Sequence, residues 1–327
     1  MLIGSGSADR PPLLTSGHDA TPPDAILTLF DVAVDVRGGK MYWTEPAGAR
    51  IRRADLDGSG AEDVVTTGLI NPHGIAVDPV GGKLYWTDKF TRKVQRSNLD
   101  GKSVEDLVVH GLVSPYGIAL DLTHGKIYWS DSGRSKIQRA NLDGSAAEDV
   151  VGVAWLNPRG VAVDAAGGKV YWIDRGTGKI QRASLDGTGI EDVVTTGLSN
   201  AVDLAIDTAS KTLYWSDPAT ASIRRVALDG GDVRNVVAIG MPNAFGIAAD
   251  VVNGKVYWVD PVRDQLLRAN RDGSEIENLI TSGRYDPVAL RAPADGWRTA
   301  SQRDWWREVV RAGLPRDASW RSPFRRG

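Results

Sequence analysis

The sequence predicts an all-β fold: a six-bladed β-propeller with four antiparallel strands in each blade and a short helical tail at the C-terminus. Three markers recur every 43 residues: a Tyr-Trp pair, an Asp-Gly dipeptide, and an Asp that closes a short apolar run. The Tyr-Trp pairs begin at Tyr42, Tyr85, Tyr128, Tyr171, Tyr214 and Tyr257. Six copies without an insertion or deletion indicate a repeat architecture in which each copy is one structural unit.

Each repeat divides into four short strands. In the second copy, residues 74–78 form an apolar run typical of a buried strand, and residues 84–88 carry the aromatic and β-branched side chains that strands favour. The more polar residues 94–99 follow, and Asp-Gly at 100–101 predicts a hairpin turn into a fourth strand at 104–109. The repeat shows no helical period, so one antiparallel blade per copy is expected.

The repeated Trp residues predict how the blades pack. A single four-stranded sheet cannot bury two apolar faces, but six sheets packed face to face in a closed ring can. Because a buried indole covers roughly 150–250 Å² of surface, we expect each Trp to lie between adjacent blades.

The motif itself distinguishes between propeller families. The period also suits WD40 blades, but here Trp precedes Thr-Asp, as in residues 83–88 (KLYWTD), and no Gly-His begins a blade. Together with 71–78 (NPHGIAVD) and 94–101 (VQRSNLDG), the motif resembles the class B repeat of the low-density-lipoprotein receptor family, the YWTD propeller. The resemblance covers about residues 28–292. It implies a six-bladed propeller that presents a protein- or peptide-binding face, although the Cys-rich modules of the animal receptors are missing.

The ends of the chain differ from the repeats. Residues 1–25 are predicted to be a flexible leader, residues 26–292 the propeller, and residues 293–327 an Arg- and Trp-rich tail with a short helix. The tail is expected to dock on the rim or to be poorly ordered, and an arm that recruits a partner is the alternative. Two segments could supply the innermost strand of the first blade, 30–35 and 285–290. The first matches the repeat more closely, so we expect it in that position.

Composition excludes several kinds of function. The formal net charge is −2 and nine Arg lie at 291–327, which leaves a weakly acidic body with no electrostatic reason to bind nucleic acid. There is no Cys and no long apolar run, so thiolate metal sites and membrane insertion are not expected. We predict a monomer that needs no cofactor and no metal. As the chain stands it is expected in the cytoplasm, or outside the cell if a leader has been removed.

The acid that ends each YWTD motif recurs in all six copies, which favours an architectural role over a ring of cation sites. We expect these carboxylates to accept backbone N–H bonds that tie the blades together, because buried backbone donors need partners. The six acids are Glu45, Asp88, Asp131, Asp174, Asp217 and Asp260.

The two faces of the predicted ring differ in variability. The uniform face carries the 1–2 and 3–4 turns, which repeat as Gly-Gly-Lys and Leu-Asp-Gly. The variable face carries the 4–1 and 2–3 loops, where aromatic and Arg side chains occur. Such side chains are enriched in protein-binding hot spots, although ordinary loop variation gives the same pattern. The candidate ligand-binding residues are Phe30, His73, Phe90, Tyr116, Arg159, Arg175 and Phe245.

The position that directly follows Phe30 and its equivalents in the other five copies is glycine in four copies and Asp in two, Asp31 and Asp203. Both are expected at the mouth of the central channel, where they could bind a cation or a basic group; Asp is also a common turn residue.

Binding is therefore favoured over catalysis, with an enzyme as the alternative. Other six-bladed propellers act at the channel mouth, where His73 or Tyr116 could donate a proton in hydrolase, lyase or isomerase chemistry. No nucleophile–base spacing supports this, so no catalytic residue is assigned.

Overall fold

The structure, a computed structural model, describes residues 29–152, 156–238 and 243–281. These residues form six four-stranded antiparallel sheets, and in each sheet the strands lie in their order along the chain. The prediction of an all-β propeller with six blades of four strands is confirmed. The leader, the tail with its predicted helix, and segment 285–290 lie outside the described residues.

The strands follow the predicted bounds to within about two residues. Blades 1 and 2 contain β1 (Val32–Asp35), β2 (Lys40–Glu45), β3 (Arg50–Asp55), β4 (Glu62–Val65), β5 (Pro72–Asp78), β6 (Lys83–Asp88), β7 (Lys93–Asn98) and β8 (Glu105–Val108). Blades 3 and 4 contain β9 (Pro115–Asp121), β10 (Lys126–Asp131), β11 (Lys136–Asn141), β12 (Glu148–Gly152), β13 (Pro158–Asp164), β14 (Lys169–Asp174), β15 (Lys179–Ser184) and β16 (Glu191–Val194). Blades 5 and 6 contain β17 (Leu204–Asp207), β18 (Thr212–Asp217), β19 (Ser222–Ala227), β20 (Arg234–Ala238), β21 (Ile247–Asp250), β22 (Lys255–Asp260), β23 (Gln265–Asn270) and β24 (Glu277–Thr281).

Two single-turn 3-10 helices, Pro46–Gly48 and Pro218–Thr220, follow β2 and β18. In the part of the chain that the structure describes, no helix has the length and apolar character needed to cross a membrane. β1 pairs with β2 along its whole length, so segment 30–35 does provide the inner strand of blade 1.

The core consists of six equivalent clusters, one at each junction between blades. Each cluster joins the Trp of one blade to the Tyr of the blade before it: Trp129 packs with Tyr85, and Trp43 packs with Tyr257 across the junction of blades 6 and 1. Because adjacent residues of a strand point to opposite faces, the Tyr-Trp pair covers both sides of its blade. All six Trp are at most 1% exposed, which confirms their predicted burial.

A second repeated contact links the outer parts of the blades. An Arg of the third strand donates to a carbonyl oxygen in the 3–4 turn of the next blade, as from Arg53 Nη1 to Leu99 O at 3.0 Å. The series ends with Arg268 Nη1 and Leu56 O at 2.7 Å, which closes the ring from blade 6 to blade 1. The remaining pairs are Arg96–Leu142, Arg139–Leu185, Arg182–Leu228 and Arg225–Arg271.

The YWTD acids accept backbone N–H bonds, as predicted, but these bonds come from the loops of the acid's own blade and do not tie adjacent blades together. Asp88 accepts N–H bonds from Ile70 and Asn71 in the 4–1 connection and from Phe90 and Thr91 in the 2–3 loop, at 2.8 to 3.1 Å. One carboxylate therefore fixes both loops of the variable face in its blade. Glu45 is the exception, because its carboxylate binds the Trp43 indole N–H and the Arg50 guanidinium instead.

Candidate functional site

The mouth of the channel on the variable face is formed by one residue from each blade, placed just before or at the start of its inner strand. We refer to these six residues as the mouth ring: Phe30, His73, Tyr116, Arg159, Val202 and Phe245.

Five members of the mouth ring pack against one another. Phe30 lies at the centre: its ring stacks on His73 with centroids 4.1 Å apart and meets Tyr116 and Phe245 edge-on at 5.3 and 5.7 Å. The guanidinium of Arg159 lies over the Tyr116 ring, 4.4 Å from its centroid. The aromatic side chains therefore close the channel at this end.

Below this closure the channel contains a small space, lined mainly by Asp31, Asp203, Tyr116 and the mouth glycines. It has room for little more than one water molecule. A drug-sized or sugar-sized substrate needs several hundred Å³, so the closed mouth offers a surface and not a substrate pocket.

A hydroxyl group links adjacent blades at the mouth wherever the third YWTD residue is Thr or Ser. Gly74 N–H donates to Thr87 Oγ1 at 3.0 Å, and that hydroxyl donates to Tyr116 O of the next blade at 2.5 Å. Thr44, Ser130 and Ser216 make the same bridge. Each bridge satisfies two buried backbone groups, and it requires blades with a fixed separation.

The bridge is absent where Ile173 and Val259 replace the hydroxyl. At these two junctions a glycine N–H donates directly to the next blade, from Gly160 to Val202 O and from Gly246 to Phe30 O, both at 2.9 Å. The blades approach so closely that a Cβ on Gly160 or Gly246 would lie 2.6 or 2.3 Å from the Cα of the facing Asp. Only glycine fits there.

Asp31 and Asp203 are those facing residues, and the structure places both at the channel mouth. Asp31 Oδ2 accepts the Ile75 N–H at 2.9 Å and Asp203 Oδ2 accepts the Ile247 N–H at 3.0 Å, so each carboxyl binds the blade that follows its own. The two carboxyl groups also share a hydrogen bond. Burial raises the pKa of Asp203 to about 6, and burial together with the Asp203 charge raises the pKa of Asp31 well above its ordinary value.

This pair predicts an unusual pH dependence. A carboxyl whose folded pKa is raised binds its proton more tightly in the folded state, so its contribution to stability is complete below the unfolded pKa of about 3.9 and is lost as the pH rises through about 6. Between pH 4 and pH 7, the unfolding free energy of the wild type should fall by about 1–3 kcal/mol more than that of Asp203→Asn, which lacks the titrating carboxyl. Urea unfolding at several pH values measures this; a difference that does not vary with pH would contradict the shared proton.

His73 and Tyr116 of the mouth ring stay neutral near pH 7. Burial lowers the pKa of His73 to about 3, with help from the charges of Lys89 and Arg159, and its Nδ1 is buried without a hydrogen-bond partner. Burial raises the pKa of Tyr116 to about 12. Neither group is suited to exchange protons with a substrate at neutral pH.

Two of the predicted ligand-binding residues lie beside the mouth ring. Arg175 follows β14, and its guanidinium bonds the Asn200 side chain of the next blade. Phe90 lies in the 2–3 loop of blade 2 and is 63% exposed. The predicted set thus divides into five packed residues and two on the surrounding loops.

Within the described residues no group of three or more His, Asp or Glu side chains could hold a metal ion.

Three features of the mouth were not anticipated from the sequence: the hydroxyl bridges, the shared proton of the Asp pair, and Asn200 as a partner of Arg175. The first had a signal, because Ile and Val replace Thr or Ser at one repeated position in two copies. The Asp pair depends on which blades meet across the channel, and the Arg175–Asn200 contact depends on how the loops of adjacent blades are placed; no residue pattern records either.

The fold and the closed mouth define the class: a six-bladed, four-stranded β-propeller whose variable face is built on a rigid ring. A family model described as outer membrane protein assembly factor BamB matches residues 30–260. The chain belongs to this family.

Individual relatives add detail. A stretch of 38 residues is 53% identical to human low-density lipoprotein receptor-related protein 4, which amounts to 12% of this chain and 2% of that receptor. The chain thus matches a very small part of that curated relative. A chain from the crystal structure of the nidogen/laminin complex superposes with a TM-score of 0.65 and 25% identity, over 71% of this chain and 90% of the other.

Two enzymes share the fold. A gluconolactonase from Xanthomonas campestris has a TM-score of 0.62 and 17% identity, over 72% of this chain and 84% of the enzyme. Virginiamycin B lyase from Staphylococcus aureus has a TM-score of 0.59 and 16% identity, over 78% and 85%. At these identities the likeness extends to the fold alone.

Proposed function

We propose that this chain is a YWTD-type propeller that binds a protein or peptide through its variable face. The observation that carries the proposal is the closed mouth: the packed aromatic ring leaves a surface where a pocket would otherwise be. The six YWTD copies and the stretch shared with the lipoprotein receptor-related protein support the type. The nidogen/laminin structure contains a complex between proteins, which adds to the case by likeness only.

The loops around the mouth supply exposed apolar side chains for such a contact. Ile70 and Phe90 are 56% and 63% exposed, and their backbone N–H groups bind opposite oxygens of one carboxylate, Asp88, so they lie side by side on blade 2. Because Asp88 fixes both backbones, little loop ordering would oppose binding. On the uniform face, Val80 and Val252 are 75% and 72% exposed, and they lie on different blades.

The test selects peptides from a random phage-displayed library against the immobilised protein. The double variant Ile70→Ala/Phe90→Ala should weaken binding of the selected peptides by more than about 2 kcal/mol, roughly thirtyfold, as expected when two hot-spot residues are removed. The matched control, Val80→Ala/Val252→Ala on the uniform face, should stay within about 0.5 kcal/mol. The reverse pattern, or a selection that enriches no peptide, would contradict the proposal.

One observation favours an enzyme as the second candidate. The Asp31–Asp203 pair is a buried acid with a raised pKa, the kind of group that transfers protons in active sites, and the lactonase and lyase share the fold. Access to the pair would require Phe30 and Tyr116 to move apart. Turnover of a lactone that Asp203→Asn abolishes would replace binding with catalysis.

A further inference from the structure

Blade 4 places two arginines next to each other on the variable face. Arg159 is the one charged member of the mouth ring. Pro158 of β13 pairs with Asp174, the last residue of β14, and the Arg175 N–H donates to Asn157 O at 3.1 Å, so the two arginines lie on adjacent segments of blade 4 where the strand register shifts. The Arg159 charge acts on the Arg175 guanidinium, and both charges act on the Tyr116 hydroxyl, so the two side chains can reach a common ligand.

Each guanidinium is held in place without an acidic partner. Arg159 lies over Tyr116, and its Nε is buried with no hydrogen-bond partner. Arg175 bonds the Asn200 side chain. Within the described residues neither makes a salt bridge, whereas Arg182 of the same blade pairs with Glu191 at 2.7 Å. Arg159 is half-buried and Arg175 is exposed. Partial burial of the Arg159 charge without a counter-charge is costly, and such groups are concentrated at functional sites.

The acids near the two guanidiniums already have backbone partners. Partial burial and the Arg159 charge lower the pKa of Arg175, so the two cations lie close enough to act on each other. Asp217, whose charge acts on Arg175, accepts four backbone N–H bonds. Asp31 and Asp203, on the channel side of Tyr116, each accept a backbone N–H bond from the blade that follows.

We propose that Arg159 and Arg175, with the hydroxyl of Tyr116, form a binding site for a carboxylate group of the peptide partner. The guanidinium forks supply charge-assisted hydrogen bonds, and the Tyr116 hydroxyl stays protonated and is free to donate. A peptide carries carboxylates at its C-terminus and on Asp and Glu side chains, and the two guanidinium forks match the geometry of such a group. This site rests on the proposed function, since it assigns a chemical preference to the same face.

The first experiment needs no selected partner. N-acetyl-glutamate methylamide, which carries a side-chain carboxylate, and N-acetyl-alanine, which carries a terminal one, are titrated while the Arg Nε–Hε signals are followed by NMR. Both arginine signals should move, with Kd in the millimolar range expected for one such contact. Affinity should fall at least tenfold in Arg159→Gln and in Arg175→Gln. It should not change in Arg134→Gln, an exposed arginine of the same face whose guanidinium bonds Gly111 O.

If N-acetyl-glutamate methylamide binds more tightly, the site takes a side-chain carboxylate; if N-acetyl-alanine binds more tightly, the site takes a C-terminal carboxylate. N-acetyl-glutamine methylamide, the uncharged match of the first probe, should not bind. Equal shifts with this amide, equal shifts at Arg134, or binding of inorganic phosphate tenfold tighter than either carboxylate would overturn the site.

The selected peptides then separate this inference from the proposed function. If the inference holds, changing Asp or Glu in a selected peptide to Asn or Gln, or amidating its C-terminus, lowers affinity at least tenfold for the wild type and much less for Arg159→Gln. If peptides bind the variable face but respond to none of these changes, the carboxylate site is wrong and the proposed function stands. If no peptide is enriched, the proposed function fails, while the NMR titration still decides the site.

Discussion

Replacing Trp129 by alanine is expected to lower the free energy of unfolding by about 3–5 kcal/mol, the range measured for large aromatic residues removed from cores. Trp129 is 1% exposed, packs with Tyr85 and Val94 of the preceding blade, and donates its indole N–H to Gln138. The substitution therefore leaves a cavity between blades 2 and 3 and an unpaired amide oxygen. Denaturant unfolding followed by fluorescence measures the loss.

The control is another aromatic residue of the adjoining blade. Phe90 is 63% exposed, so Phe90→Ala should change the free energy of unfolding by no more than about 0.5 kcal/mol. A loss below about 1 kcal/mol for Trp129→Ala would show that the blades can close the cavity, and that the six interfaces are less rigid than their packing indicates.

Thr87→Val should cost about 2–6 kcal/mol, although the two side chains have the same shape. The valine keeps the packing and removes the hydroxyl that accepts from Gly74 N–H and donates to Tyr116 O. Two buried backbone groups lose their partner, at about 1–3 kcal/mol each. Equilibrium unfolding in urea measures the change.

Thr91→Val is the matched control. Thr91 lies four residues further along in the same blade, and its buried hydroxyl has no hydrogen-bond partner, so its removal should be neutral or slightly stabilising. If Thr87→Val were as stable as Thr91→Val, we would conclude that blades 2 and 3 move closer in the variant. Gly74 N–H would then donate directly to Tyr116 O, as Gly160 does to Val202 O. The hydroxyl bridges would then be dispensable.

Much of the fold could be predicted because the same strand and turn signals recur in six copies of the repeat. Trp86 and its equivalents occupy one position of a strand, and only a closed ring buries all of them. The acids were predictable for the same reason, since four of them accept N–H bonds from both loops of their blades: Asp88, Asp131, Asp174 and Asp217. The identity of the inner strand of blade 1 followed from its closer match to the repeat.

The mouth was less predictable, because it depends on residues that differ between copies. Phe30, His73 and Tyr116 were expected to project as binding residues, and the structure packs them against one another. That packing follows from the narrow centre of the ring, where side chains from non-adjacent blades meet, and no sequence spacing reports such a distance. Whether any of the seven predicted ligand-binding residues contacts a partner stays a prediction.

The closing bond from Arg268 to Leu56 O has a consequence for assembly. Within the described residues each blade is one continuous segment, so blades 6 and 1 meet through packing and hydrogen bonds and share no strand. A molecule that opened at this seam would expose the Tyr257 side of blade 6 and the Trp43 side of blade 1, which are complementary to each other. Two opened molecules could then join head to tail, and a heterologous contact of this kind extends into chains unless it closes. Closure within one molecule prevails because the two ends are held at a high effective concentration. Weakening the seam should therefore shift this protein toward concentration-dependent polymers before it unfolds.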